Sequence, residues 1–150
     1  MNDDDNIRYS LEGSIAHLSA RLYRAMWKHV NRELTDAGLE MTVEQWPIFI
    51  HLWDQNGQTQ KELARKLFKD KTTMARLVAS AESAGMVERK PGVSDKREKT
   101  VYLTEKGKQI MDKATERVTK VDELAASGID EEEIAVLRDV LRRAHRNLAG

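Results

Sequence analysis

The sequence predicts a mainly α-helical chain carrying one small β-hairpin. Apolar residues recur every three or four positions near both ends, the period drops from 3.6 to 2 after Gly85, and polar capping signals recur between the helical stretches. The first stripe, Leu11, Ile15, Leu18, Leu22, Met26, Val30 and Leu34, predicts a long amphipathic helix over 10–36 that Gly38 ends. Thr42-Val43-Glu44-Gln45 has capping-box spacing, the threonine capping and the glutamine reaching back, and Trp46, Phe49, Ile50 and Trp53 supply a buried stripe behind it. Pro47 falls just past that first turn and predicts a bend. Asn56-Gly57 is a turn.

Thr59-Gln60-Lys61-Glu62 repeats the capping pattern and opens a short helix with Leu63, Ala64, Leu67 and Phe68 on its apolar side. Asp70 can cap the next helix, which runs to about Ser83 with Met74, Leu77, Val78 and Ala81 inward and Thr72, Thr73, Arg76, Ala79 and Ser83 elsewhere. Gly85 stops it. Met86–Lys90 and Lys99–Leu103 read as short strands around the polar tip 91–98. Thr104 caps a long helix bearing Ile110, Met111, Ala114, Val118, Val121 and Leu124. Gly128 breaks it, and Asp130 with Glu133 opens a last one bearing Ile134, Leu137, Leu141, Ala144 and Leu148.

Helix, tight turn, helix and two-stranded wing in this order are the parts of a winged helix-turn-helix, here spanning 42–103 within one domain of 150 residues. The long helices at 10–36 and 104–149 carry more apolar surface than so small a lobe needs, which predicts pairing with a second copy of the chain.

Charge points to the partner. The chain is neutral overall, yet residues 59–100 hold 11 Lys/Arg against 6 Asp/Glu, so a basic middle sits between acidic flanks. Hydroxyls at Thr72 and Thr73, beside Lys71 at a helix N-terminus, suit phosphate oxygens or base edges, and Arg76 one turn on can reach a guanine. At the wing tip Asp95, Lys96 and Arg97 project, and an arginine there suits a minor groove.

Leu63-Ala64 through Asp70-Lys71-Thr72-Thr73, Glu82 to Arg89, Asp95 to Lys99, and Leu103-Thr104-Glu105-Lys106-Gly107 together resemble the MarR family of bacterial winged-helix regulators. The resemblance implies a homodimer whose terminal helices intertwine, Thr72, Thr73 and Arg76 on the recognition helix, and Asp95 and Arg97 as a wing motif in which the aspartate braces and the arginine probes. Lys96 stands where relatives often carry a further arginine, keeping charge but not the bidentate fork. It further implies a repressor that a small aromatic or anionic effector releases. Trp27, Trp46, Phe49 and His51 are candidates for lining that effector's cleft, or serve as core packing. Two-fold symmetry would match a palindromic operator, with recognition helices roughly 34–36 Å apart. The alternative is a winged-helix dimer acting as a protein-interaction module.

Other chemistries find no residues. Cysteine is absent, which excludes disulfides, thiolate metal sites and thiol redox sensing. No two of His17, His29, His51 and His145 have metal-ligand spacing, and no phosphate loop, nucleophile elbow or triad order is present, so neither metal, cofactor nor enzyme activity is expected. The acidic start Met1–Asn6 lacks the order of a secretion signal and no apolar run spans a bilayer, which predicts a cytoplasmic protein without membrane contact.

Overall fold

A computed structural model describes residues 10–150; the acidic start at 1–6 lies outside the described residues. Six helices and three short strands follow in the order α1 (Ile15–Asp36), α2 (Trp46–Asp54), β1 (Gln58–Thr59), α3 (Gln60–Lys66), α4 (Lys71–Ser83), β2 (Val87–Pro91), β3 (Lys99–Leu103), α5 (Glu105–Ala125) and α6 (Glu131–Ala149). The strands form an antiparallel sheet in the order β1-β3-β2, with Val87 opposite Leu103 and Gln58 opposite Val101.

Helix ends follow local chemistry closely. Ser14, not Ser10, starts α1: its hydroxyl accepts the His17 N–H, while Gly13 donates to the Ser10 carbonyl in a preceding turn. Leu11 is consequently left outside the helix and 57% exposed. Gly38, at φ 67°, closes α1 by placing the Gly38 and Leu39 N–H groups on the Thr35 and Leu34 carbonyls, the double bond pattern of a left-handed C-cap. Gly85, at φ 74°, closes α4 in the same way. Thr59 with Glu62 and Asp130 with Glu133 form the expected capping boxes, and Thr104 accepts the Gly107 N–H.

The interior joins α2, α3, α4, the sheet and the start of α5 through Phe49, Leu52, Leu63, Met74, Leu77, Val78, Met86, Val101 and Met111, and reaches α1 through Val30 and Leu34. The four inward residues expected of α4 are all buried.

Four expectations are corrected. The buried face of α2 is Ile48, Phe49 and Leu52, whereas Trp46 is half-buried and Ile50 and Trp53 are exposed. Nearly every residue of this helix is apolar, so both stripes have helical spacing and only tertiary packing selects between them. Pro47 falls in the first turn, where an N–H has no intrahelical partner, so it costs no helix bond and requires no bend; the Thr42–Gln45 box forms on the turn just before. Phe68 is not on an inner face but 80% exposed. It occupies the left-handed position after α3 at φ 52°, where glycine is usual. The third strand, β1, lies within the turn and capping signal Gly57–Thr59 and was not expected at all.

The wing is anchored to α4 by an ion pair. Glu82 Oε1 accepts the Arg89 Nη2–H at 2.9 Å and Oε2 accepts the Arg89 backbone N–H at 3.0 Å. Hydrogen bonding from the Arg89 side chain, then from its backbone, holds the Glu82 carboxyl below its ordinary value. A carboxyl depressed by folding stabilises above its unfolded value and loses that contribution as pH falls through the folded one. Glu82→Gln is therefore expected to lower the melting temperature at neutral pH, with the gap to wild type closing as the pH drops below about 4; urea midpoints across that range check it. A gap independent of pH would show that the charge is irrelevant to the anchor.

Candidate nucleic-acid interface

The N-terminus of α4 and the wing border a common concavity of about 430 Å³, lined by Thr59, Gln60, Lys61 and Ala64 from the β1–α3 segment, Lys71 from α4, and Asp95, Arg97, Glu98 and Lys99 from the wing. Lys71, Lys96 and Arg97 are exposed and make no ion pair among the described residues, so their charges face solvent unneutralised. Such a surface suits a polyanion.

Asp70 organises the start of α4. Its Oδ1 accepts the Thr73 backbone N–H at 2.7 Å and its Oδ2 accepts the Thr73 hydroxyl at 2.8 Å. These bonds, the backbone one foremost, hold the Asp70 carboxyl below its usual range. Both bonds turn Thr73 toward the cap. Its hydroxyl proton is committed to the cap and it is half-buried, whereas Thr72 is exposed.

At the wing tip Asp95 Oδ1 accepts the Arg97 backbone N–H at 2.9 Å, while the Glu98 N–H bonds the Asp95 carbonyl and the Gly92 N–H bonds the Glu98 carbonyl at 2.7 Å. The aspartate thus shapes the loop through backbone and leaves the Arg97 guanidinium projecting. Arg76, on the exposed side of α4, has its Nη2 3.5 Å from Glu44 Oε2.

A second cleft, of about 420 Å³, opens between Tyr23 and Trp27 of α1, Glu44, Pro47 and Ile48 at the start of α2, Lys66 to Lys69 at the end of α3 and after it, and Leu77. Tyr23 and Trp27 stack with ring centres 5.1 Å apart. Of the four expected lining residues, only Trp27 borders it. Phe49 is fully buried in the core, and Trp46 and His51 sit on other sides of α2, because that helix presents Pro47 and Ile48 to the cleft. Burial first, then the nearby Lys66 ammonium, depress the His51 pKa, partly offset by Asp54, so this imidazole is neutral at neutral pH.

Sequence reasoning missed Gln58. Its side chain, 2% exposed, donates to the His51 and Gln55 carbonyls at the end of α2 at 2.6 and 2.7 Å and accepts from Lys66 Nζ at 2.6 Å, locking β1 to α2 and to the edge of the second cleft. A glutamine among polar turn residues carries no periodicity signal; only the number of orphan carbonyls at a helix end could have suggested it.

Comparison with known proteins agrees with this geometry. Residues 38–98, the lobe from the end of α1 to the wing, match the model of the MarR family. YybA of Bacillus subtilis, described as an uncharacterised HTH-type transcriptional regulator, is 29% identical over 125 residues, 83% of this chain and 82% of its own. The crystal structure of a MarR-family regulator from Rhodococcus sp. RHA1 superposes with a TM-score of 0.81 at 25% identity, covering 89% of this chain and 93% of that one.

The lobe of this chain resembles that of the MarR family.

CouR from Rhodococcus jostii RHA1, solved with p-coumaroyl-CoA bound, is similar over 89% of this chain and 92% of its own, with a TM-score of 0.78 and 25% identity. The proteins this chain is similar to are named as transcription regulators. Among its described residues no helix is long and apolar enough to cross a membrane, and no group of three or more His, Asp or Glu is placed to hold a metal.

Proposed function

We propose that this protein is a homodimeric, sequence-specific regulator, a repressor whose grip on a palindromic operator is released by a small ligand. The observation that carries the DNA-contacting part is the set of unpaired cations, Lys71, Lys96 and Arg97, displayed on the recognition-helix N-terminus and the wing. In this reading Lys71 and Thr72 hold phosphates, Arg76 reads a base edge in the major groove, Thr73 and Asp95 hold the two elements in shape, and Lys96 and Arg97 engage the flanking minor groove.

Dimerisation is supported by apolar residues that the single chain leaves uncovered. Val136, Leu137, Val140, Leu141 and Leu148 of α6, with Ile15, Leu18 and Leu22 of α1, are all exposed. Faces of this size on two long terminal helices are what a two-fold interface buries. For the effector, the cleft with Tyr23, Trp27 and Phe68 rings and the Lys66 and Lys69 ammonium groups favours a planar anionic molecule. CouR, whose structure holds p-coumaroyl-CoA, shows that a protein of this fold takes such a ligand. A ligand acts here by preferring a dimer in which the recognition helices are misplaced relative to the grooves.

The test is selection of bound fragments from genomic DNA at physiological salt, followed by titration of the recovered operator. Affinity should fall steeply with salt, by a log–log slope of about −0.9 per phosphate neutralised. Arg97→Ala should weaken binding mainly through the flanks and flatten that slope by about 1, whereas Arg76→Ala should cost about 1–3 kcal/mol of discrimination at one base pair. Equal affinity of both variants and wild type for operator and scrambled duplex would instead favour the protein-interaction module.

A further inference from the structure

The pair Glu44–Arg76 places an acidic group beside the recognition helix, where a DNA-facing surface otherwise has reason to be cationic. Its position is fixed by the adjacent residues. Gln45 is buried and its Nε2 donates to the Leu77 carbonyl at 3.3 Å, so the residues directly following Glu44 and Arg76 are tied to one another. Gln45 is in turn held by the reciprocal bonds with Thr42. The carboxylate therefore stands on a braced turn and Arg76 on a packed helix. The two side chains themselves remain open to water, 57% and 64% exposed, so the pair can be exchanged for another partner at small cost.

Resting on the DNA-binding reading above, we propose that Glu44 is a specificity-determining positioning residue, which holds the Arg76 guanidinium and keeps it from being spent on the phosphate backbone. An arginine without such a neighbour pairs with any phosphate it can reach and strengthens binding to every sequence alike. With Glu44 beside it, a phosphate approaching Arg76 also meets a carboxylate, and the repulsion cancels much of the attraction. A guanine edge carries no net charge and offers two acceptors to the guanidinium fork, so it meets no such opposition. Discrimination arises from a repulsive element aimed at the wrong partner.

The experiment titrates wild type, Glu44→Gln, Arg76→Ala and the double variant against the operator the wild type selects, against that operator with one base pair exchanged where Arg76→Ala loses preference, and against a scrambled duplex of equal length. Glu44→Gln is expected to tighten binding to the scrambled duplex about threefold to fivefold, the range open to an exposed ion pair. Operator affinity should change less, so the ratio between the two falls and the preference at the Arg76 position narrows. In the Arg76→Ala background the same substitution should leave the base preference where it was. The melting temperature should not move, because the Thr42–Gln45 bonds and the Gln45–Leu77 tether are retained, and a purely structural role would move it.

An unchanged operator-to-scrambled ratio in Glu44→Gln overturns the proposal, as does an equal change with and without Arg76, which would mean general repulsion of DNA. A wild-type protein that selects no duplex overturns the DNA-binding reading and this one together; selection by wild type with an inert Glu44→Gln overturns this one alone.

Discussion

Substitution of Gly107 by alanine is expected to destabilise the fold by about 3 kcal/mol or more, at the upper end of what an overpacked interior costs. A Cβ at this position would overlap the Met86 carbonyl oxygen, come within 3.1 Å of the Met86 carbonyl carbon and within 3.3 Å of Leu103 Cδ2. Two of these three atoms are backbone and cannot swing away. They are also bonded in place, since the Thr104 N–H donates to that same Met86 oxygen and the Thr104 hydroxyl donates to the Gly85 carbonyl at 2.6 Å. The start of α5 rests directly on the turn that ends α4, and a methyl group would push the two apart. Taking about 2–4 °C per kcal/mol for a chain of this size, the melting temperature should drop by roughly 6–12 °C. Gly13→Ala is the control: its Cβ would meet Ser10 atoms at 3.8 Å or beyond, ordinary contact, and stability should be unaltered. Should Gly107→Ala melt with wild type, the packing of α5 on the Gly85–Met86 turn is wrong.

The second large effect concerns the proposed dimer. Leu137→Glu together with Leu141→Glu is expected to convert the protein to a monomer at micromolar concentration, seen by sedimentation. Both leucines lie one turn apart on α6, a helix without a single buried residue in the isolated chain. Across a two-fold interface four leucines would be lost at about 1.5 kcal/mol or more each, and four carboxylates would have to be desolvated in their place. DNA affinity should then fall about 10²-fold or more, because the two recognition helices no longer bind as a linked pair. Helix content should be kept, since nothing within the chain packs on these two side chains strongly enough to bury them. A double variant that sediments as the wild type does would remove α6 from the interface.

These two predictions draw on different kinds of information, and the difference tracks what was legible before the structure. Element order, caps and stops depend on interactions within about four residues: the Thr59–Glu62 box, the Asp70 cap, and the left-handed glycines at 38, 85 and 128 all stand where local chemistry places them. The same locality made Lys71, Lys96 and Arg97 readable as a cationic, exposed set. Where two local patterns compete, locality fails. The apolar residues of α2 offer two equally periodic faces, and Thr73 could point its hydroxyl outward or back to Asp70. Phe68 was misplaced because a left-handed C-cap is expected to be glycine, so a bulky residue there gives no warning that the helix has ended.

What the chain determined by itself was its sequence of helices, strands and turns, its basic middle and its resemblance to the MarR family, because each rests on periodicity, short-range capping or a contiguous motif. Only the tertiary structure decided which face of α2 is buried, that β1 completes the sheet, that Gln58 serves two carbonyls of another element, and that Glu44 stands beside Arg76. Apart from the Gln58 bonds, which bridge only seven and three residues but need β1 to be seated beside α2, each depends on residues far apart in the chain meeting at one point, and the free energy that selects among such meetings comes from burying the whole core at once rather than from any stretch of it.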